Sequence, residues 1–146
     1  MSELSVKDRA AESEKELTAV PAKKKGFARL RAATVYSVEG LRACFASEEA
    51  FRLEIMLAVV LTPLAFWLGD SPAERGLLLV AIVLVLLVEL LNSAIEAVVD
   101  RIGLEYHALS KKAKDIGSAA VFISLVAFVV LWVAVLLLSE SILCSG

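Results

Sequence analysis

Residues 76–100 read GLLLVAIVLVLLVELLNSAIEAVVD. The first half is without charge. At 1.5 Å per residue the 24 residues Gly76–Val99 reach about 36 Å, enough to cross the roughly 30 Å hydrocarbon core of a bilayer. Yet Glu89, Asn92, Ser93 and Glu96 stand inside the run, and Asp100 ends it. With Glu89 at 0° and about 100° per residue, Asn92 falls near 300°, Glu96 near 340° and Asp100 near 20°. Three carboxylates and an amide therefore share one face. An ionised carboxylate in mid-span costs about 2.5–3.5 kcal/mol, so a partner cation, a water-filled cavity or the membrane surface must compensate. A single Asn or Ser would be explained as interhelical glue. A row of carboxylates suits a hard divalent cation such as Mg²⁺, which keeps water and phosphate in its other positions.

Working outward, two further apolar segments flank this one. Ala50–Leu68 holds the charge-free run Ile55–Leu68 and reaches spanning length only by including Phe51 and Leu53, with Arg52 and Glu54 near the interface. Ile116–Ser139 carries no charge at all. Gly69-Asp70-Ser71-Pro72 separates the first two segments with turn chemistry, and the charged stretch Asp100–Asp115 joins the last two. Before them, Phe27, Leu30, Thr34, Val38, Leu41 and Phe45 recur in steps of three and four, an amphipathic helix with Arg29, Tyr36 and Glu39 off the stripe. A soluble core helix would show the same stripe, but there is little soluble protein to pack it. A helix lying on the bilayer surface is the expectation.

The whole-chain numbers agree. The 146 residues are 59% hydrophobic with mean hydropathy +0.78, against about 45–50% apolar in soluble domains. Charged residues still make up 22%, so charge and apolarity must be segregated along the chain. A secreted disulfide scaffold is excluded by only two distant cysteines, Cys44 and Cys144. The net charge of −2 argues for no particular partner, and no nucleic-acid partner is expected. Residues 1–25 are polar, end in Lys23-Lys24-Lys25 and have no following signal-peptide core; they are expected to be a disordered cytoplasmic tail ahead of a single membrane domain, 26–146. Lys and Arg cluster before the first span and again at Arg101, Lys111, Lys112 and Lys114, while the other side carries only Arg75. The positive-inside rule places the N-terminus and the 100–115 loop in the cytoplasm and the C-terminus outside. The fold class is an all-α membrane protein: a surface helix over about 26–47, then spans at about 50–69, 76–99 (extending to about 106) and 114–139.

The stretch Glu89–Asp100, followed by Arg101-Ile-Gly and by Ala113-Lys-Asp-Ile-Gly-Ser-Ala-Ala120, resembles the signature of the bacterial integral-membrane diacylglycerol kinase family, which includes relatives acting on undecaprenol. The likeness extends upstream to Tyr36-Ser37, Gly40-Leu41-Arg42-Ala43 and Glu48-Glu-Ala-Phe-Arg52, and covers about residues 26–138. It implies a homotrimer in the bacterial cytoplasmic membrane, with sites shared between subunits, that uses Mg-ATP to phosphorylate a lipid hydroxyl, most simply diacylglycerol to phosphatidic acid.

By that resemblance Glu89 is the general base and Asn92 its neighbour in catalysis. Glu48 and Glu96 hold Mg²⁺ on the phosphates. Glu48, Glu96, Arg29, Tyr36, Glu105, Tyr106, His107, Lys114 and Asp115 contact ATP. Arg29, Glu48, Phe51, Arg52, Trp67, Arg75, Glu89, Ser118 and Trp132 contact the lipid. Read alone, Glu48 is a helix-start residue, His107 a loop histidine, Lys111 and Lys112 ordinary orientation signal, and the tryptophans members of an interfacial belt. Leu53 stands where the best-known branch has a polar amide, Val38 and Glu39 replace an aromatic-basic pair, and the tail is an addition; these departures bear on lipid preference. No GxxxxGK loop is present, so phosphates would be held by metal and side chains. The rival reading of another class is a small proton-coupled transporter built on an intramembrane Glu. It leaves the Lys114-Asp115 pair and the second carboxylate turn unexplained.

Overall fold

A computed structural model describes residues 26–103 and 105–143, side chains only as far as Leu137. The tail expected over residues 1–25 and the last three residues lie outside the described residues. Four helices follow one another: α1 (Phe27–Ser47), α2 (Glu49–Leu68), α3 (Pro72–Ile102) and α4 (Ala108–Leu143). The chain divides into two units, Met1–Val38 and Glu39–Gly146, and the packing described below belongs to the second.

Three helices, α2, α3 and α4, are long and apolar enough to cross a membrane. Within their most apolar windows only 11%, 28% and 17% of residues are buried. A water-soluble bundle would turn such surface inward; here it faces outward, as lipid-facing helices do. In α1 the stripe residues Phe27, Leu30, Val38, Leu41 and Phe45 are exposed.

The helix ends lie outside the apolar runs. Ser71 caps α3: its Oγ accepts from the Glu74 amide at 3.2 Å, and Glu74 Oε2 accepts from the Ser71 and Asp70 amides at 3.4 and 2.8 Å. This reciprocal box, with Pro72 opening the first turn, starts the helix four residues before the apolar run at Gly76. The turn is tight. Arg75 Nε donates to the Gly69 carbonyl at 2.8 Å, and a Cβ on Gly69 would come within 2.7 Å of Arg75 Cγ. At the other end His107 opens α4: its carbonyl accepts from the Lys111 amide at 3.0 Å and its Nδ1 from the Leu109 amide at 3.2 Å. Lys111 and Lys112 are therefore helical along with Lys114 and Asp115, although the sequence reading began the third span only at about 114. Charge marks where a helix leaves hydrocarbon, not where its hydrogen bonding stops.

Between α1 and α2 the chain breaks only at Glu48, in extended conformation. Arg52 Nη1 donates to the carbonyls of Phe45 and Ala46 at 3.1 and 3.2 Å. A guanidinium thus covers two of the carbonyls that the end of α1 leaves without helical partners.

Helix α3 packs against both α2 and α4. Its buried face runs Leu78, Ala81, Ile82, Val85 and then Glu89. At the end near the 69–71 turn this face meets Ala65 of α2 and Trp132 and Val135 of α4. Ala65, Leu78 and Ala81 are at most 1% exposed, the small residues letting the backbones approach. Phe128 and Trp132 stack tilted at 5.3 Å between centroids.

Candidate functional site

Towards its far end the same face of α3 turns polar. Glu89, one helical turn after Val85, is 4% exposed. Ser93 Oγ donates to the Glu89 carbonyl at 3.0 Å, and Cys44 Sγ donates to Ser93 Oγ at 3.5 Å, tying the last turn of α1 to α3. Asn92 Nδ2 donates to Glu96 Oε1 at 3.0 Å. The helix brings Glu89, Asn92 and Glu96 together as the 3.6-residue period requires.

Other elements add charge to this face. Glu48, at the α1–α2 break, and Glu96 both act electrostatically on Glu89, and Glu89 acts on Glu54 of α2. Among the described residues none of these four carboxylates has a cationic side chain within ion-pair distance. Glu54 Oε2 and Asn92 Oδ1 are buried with no hydrogen-bond partner, and Glu48 Oε1 accepts only from Ser47 Oγ at 3.1 Å. Like charges gathered at low dielectric, with oxygens left over, are costly unless a cation joins them. Hard oxygen donors without protein partners fit Mg²⁺, which binds through one or two carboxylates and fills its octahedron with water and phosphate. Among the described residues no three acidic, His or Cys groups are placed to close into an all-protein metal cage.

Lys114 of α4 reaches back to Asp100 of α3 at 2.6 Å, and Asp115 pairs with Lys111 along its own helix. Asp100 closes the carboxylate row and anchors Lys114 beside Glu96. Glu105, Tyr106 and His107 are exposed, and Glu105 and His107 line an open groove of roughly 840 Å³ with Val99, Gly103 and Ala113. His107 has, in addition, the helix-capping role that a loop reading did not foresee. Arg29 and Tyr36 are exposed in the first unit.

The residues expected at a lipid divide sharply. Trp67 and Ser118 are exposed, Trp67 at 80%. Phe51 is 2% and Trp132 7% exposed; both are buried inside the chain. The polar atoms of Arg52 and Arg75 engage backbone carbonyls at the two turns. Glu54 was passed over as an interfacial charge. It lines a small apolar cavity of about 50 Å³ with Ala58, Val85, Leu86 and Phe128, and the signal was the one that singled out Glu89: a carboxylate inside an apolar helix.

The family model described as prokaryotic diacylglycerol kinase matches residues 35–136. A protein named diacylglycerol kinase from Pseudomonas aeruginosa is 53% identical over 112 residues, covering 77% of this chain and 91% of its own. One of the same name from Escherichia coli is 50% identical over 107 residues, 73% of this chain and 88% of its own. Another, from Helicobacter pylori, is 45% identical over 113 residues, 77% and 88% respectively. The matched stretch takes in the carboxylate face of α3, the α1–α2 break and the Lys114–Asp100 bridge, and the chain belongs to the prokaryotic diacylglycerol kinase family.

Proposed function

We propose that this protein is a membrane lipid kinase that transfers the γ-phosphoryl group of ATP to the free hydroxyl of diacylglycerol, giving phosphatidic acid. The observation that carries the reading is Glu89: a buried carboxylate, hemmed by the charges of Glu48 and Glu96 and without a cationic partner among the described residues.

In this reading Glu89 accepts the proton of the lipid hydroxyl as its oxygen attacks the γ-phosphorus and ADP leaves, a role worth about 10²–10⁴-fold. Asn92 fixes Glu96 through their hydrogen bond. Glu48 and Glu96 would hold Mg²⁺ against the phosphates, where it supplies the charge neutralisation that phosphoryl transfer needs most. Lys114 offers further positive charge. Asp115, with Glu105, Tyr106 and His107 around the groove after α3, would receive the nucleoside; Arg29 and Tyr36 are assigned to ATP by the resemblance alone. The lipid would be received along α2 and α4 by Arg52, Trp67 and Ser118, with Glu48 and Glu89 nearest its reacting end, while the buried Phe51 and Trp132 and the turn-bound Arg75 of α3 would act from behind that surface.

The reading extends to the assembly. α1 lies on the cytoplasmic surface of the bacterial inner membrane through its exposed stripe. The N-terminus and the α3–α4 connection face the cytoplasm and the C-terminus the outer side, as the Lys and Arg bias requires. Three copies assemble with sites shared between subunits, as the resemblance to the family implies. One experiment decides between the readings: purified protein in mixed micelles with Mg-ATP, offered diacylglycerol and then undecaprenol. Transfer to diacylglycerol is expected. Preference for undecaprenol would move the substrate assignment, and transfer to neither would overturn the kinase reading in favour of an ion-coupled carrier.

A further inference from the structure

Helix α4 passes close to the carboxylate face at Gly117, one turn after Lys114. Gly117 is buried, and a Cβ built on it would stand 2.2 Å from Asn92 Oδ1 and 3.3 Å from Asn92 Cγ. No side chain fits there while Asn92 keeps its position. The amide has only one sensible orientation. The Glu96 carboxylate only accepts, so Nδ2 must face it, at 3.0 Å. That leaves Oδ1 pointing at the bare Cα of Gly117, buried and without a conventional hydrogen-bond partner. Asn92 is thus clamped between a carboxylate on its own helix and a backbone on the next.

We propose that Gly117 is a positioning residue for the Asn92–Glu96 pair: its missing side chain lets α4 hold the amide in the one rotamer that keeps Nδ2 on Glu96. The proposal rests on the reading of Glu96 as a carboxylate of the metal–phosphate site. The offending contact is with the tip of a side chain, so Gly117→Ala moves the amide rather than prising the helices apart. Alanine is also the better helix former, so α4 itself is not weakened.

Two measurements on the full chain in detergent test it. The first is the side-chain amide signal of Asn92 by NMR, assigned by its loss in Asn92→Ser, which shifts in Gly117→Ala whether or not the protein is active. The second is the affinity for Mn²⁺ in the presence of ATP, read by electron spin resonance, alongside turnover. Gly117→Ala is expected to weaken Mn²⁺ and slow turnover by about 10–100-fold, the usual loss for a group behind a metal ligand. In the Asn92→Ser background, which opens space for the methyl, Gly117→Ala should cost nothing further in Mn²⁺ affinity. An unmoved amide signal, unchanged Mn²⁺ affinity, or a loss of equal size in both backgrounds would overturn the proposal. A wild-type chain that transfers no phosphate while the amide still shifts in Gly117→Ala would instead break the kinase reading and leave the steric coupling standing.

Discussion

Leu78 and Glu89 occupy the same face of α3, eleven residues apart, and their surroundings are opposite. Around Leu78 the face meets Ala65, Ala81, Trp132 and Val135, apolar and close-packed. Around Glu89 it lies within the electrostatic reach of three other carboxylates, with an amide bonded to one of them and a lysine bridge at the end of the row. The first end is held by apolar packing, at the cost of one buried indole N–H, Trp132 Nε1, without a hydrogen-bond partner. The second gathers groups that repel, which a fold tolerates only where something else is to be bound. One end holds the helices together and the other is held in place by it.

That contrast can be broken from either side. The largest effect is expected at Glu89. Glu89→Gln keeps shape and hydrogen-bonding capacity but removes the proton acceptor, so lipid phosphorylation should fall by about 10²–10⁴-fold while particle size in detergent and unfolding temperature hold. Near wild-type turnover would show that the base lies elsewhere. At the closed end Leu78→Ala should do the reverse. A fully buried leucine leaves a cavity worth about 2–5 kcal/mol, lowering the unfolding midpoint in detergent, with turnover per folded molecule maintained below that midpoint.

Smaller changes sharpen the picture. Glu96→Gln removes a charge from the row and turns the partner of Asn92 into a neutral amide. The Mg²⁺ requirement should rise together with a rate loss of about 10–100-fold, measured by titrating Mg²⁺ at saturating ATP. A rate loss with an unaltered Mg²⁺ curve would put Glu96 outside the metal site. The smallest effect belongs to the Lys114–Asp100 bridge. Both side chains are partly exposed, Lys114 at 38% and Asp100 at 48%, and solvent screens such pairs. Asp100→Asn should leave the unfolding temperature unmoved and, by freeing the ammonium for phosphate, lower the KM for ATP by about two- to fivefold.

How far the sequence could be read follows from the range of each interaction. Hydropathy found the three apolar helices, because lipid-facing surface must be apolar along its whole length. It does not reach the helix ends, because the Ser71–Glu74 box and the His107 cap lie in polar sequence outside the apolar runs. The helical period put Glu89, Asn92 and Glu96 on one face, and the structure joins Asn92 to Glu96 as that period implies. Their chemical roles came from resemblance, since spacing alone cannot tell a base from a ligand. Glu54 escaped notice because it stood at the edge of a short apolar run. Trp132 read as a lipid contact or a member of an interfacial belt and not as core, since a tryptophan's sequence context does not say which face its helix turns to a neighbour.

The sequence by itself determined the all-helical membrane class, the order of the helices and the polar stripe of α3. These depend on residues within one or two turns of each other and on transfer between water and hydrocarbon, which composition reports directly. Only the tertiary structure decided that Glu48 and Glu54 join the stripe, that Asp100 takes Lys114, and that Gly117 confines Asn92. Each of these depends on how closely one helix approaches another, and that distance is set by side-chain packing across the interface rather than by any pattern within a single helix.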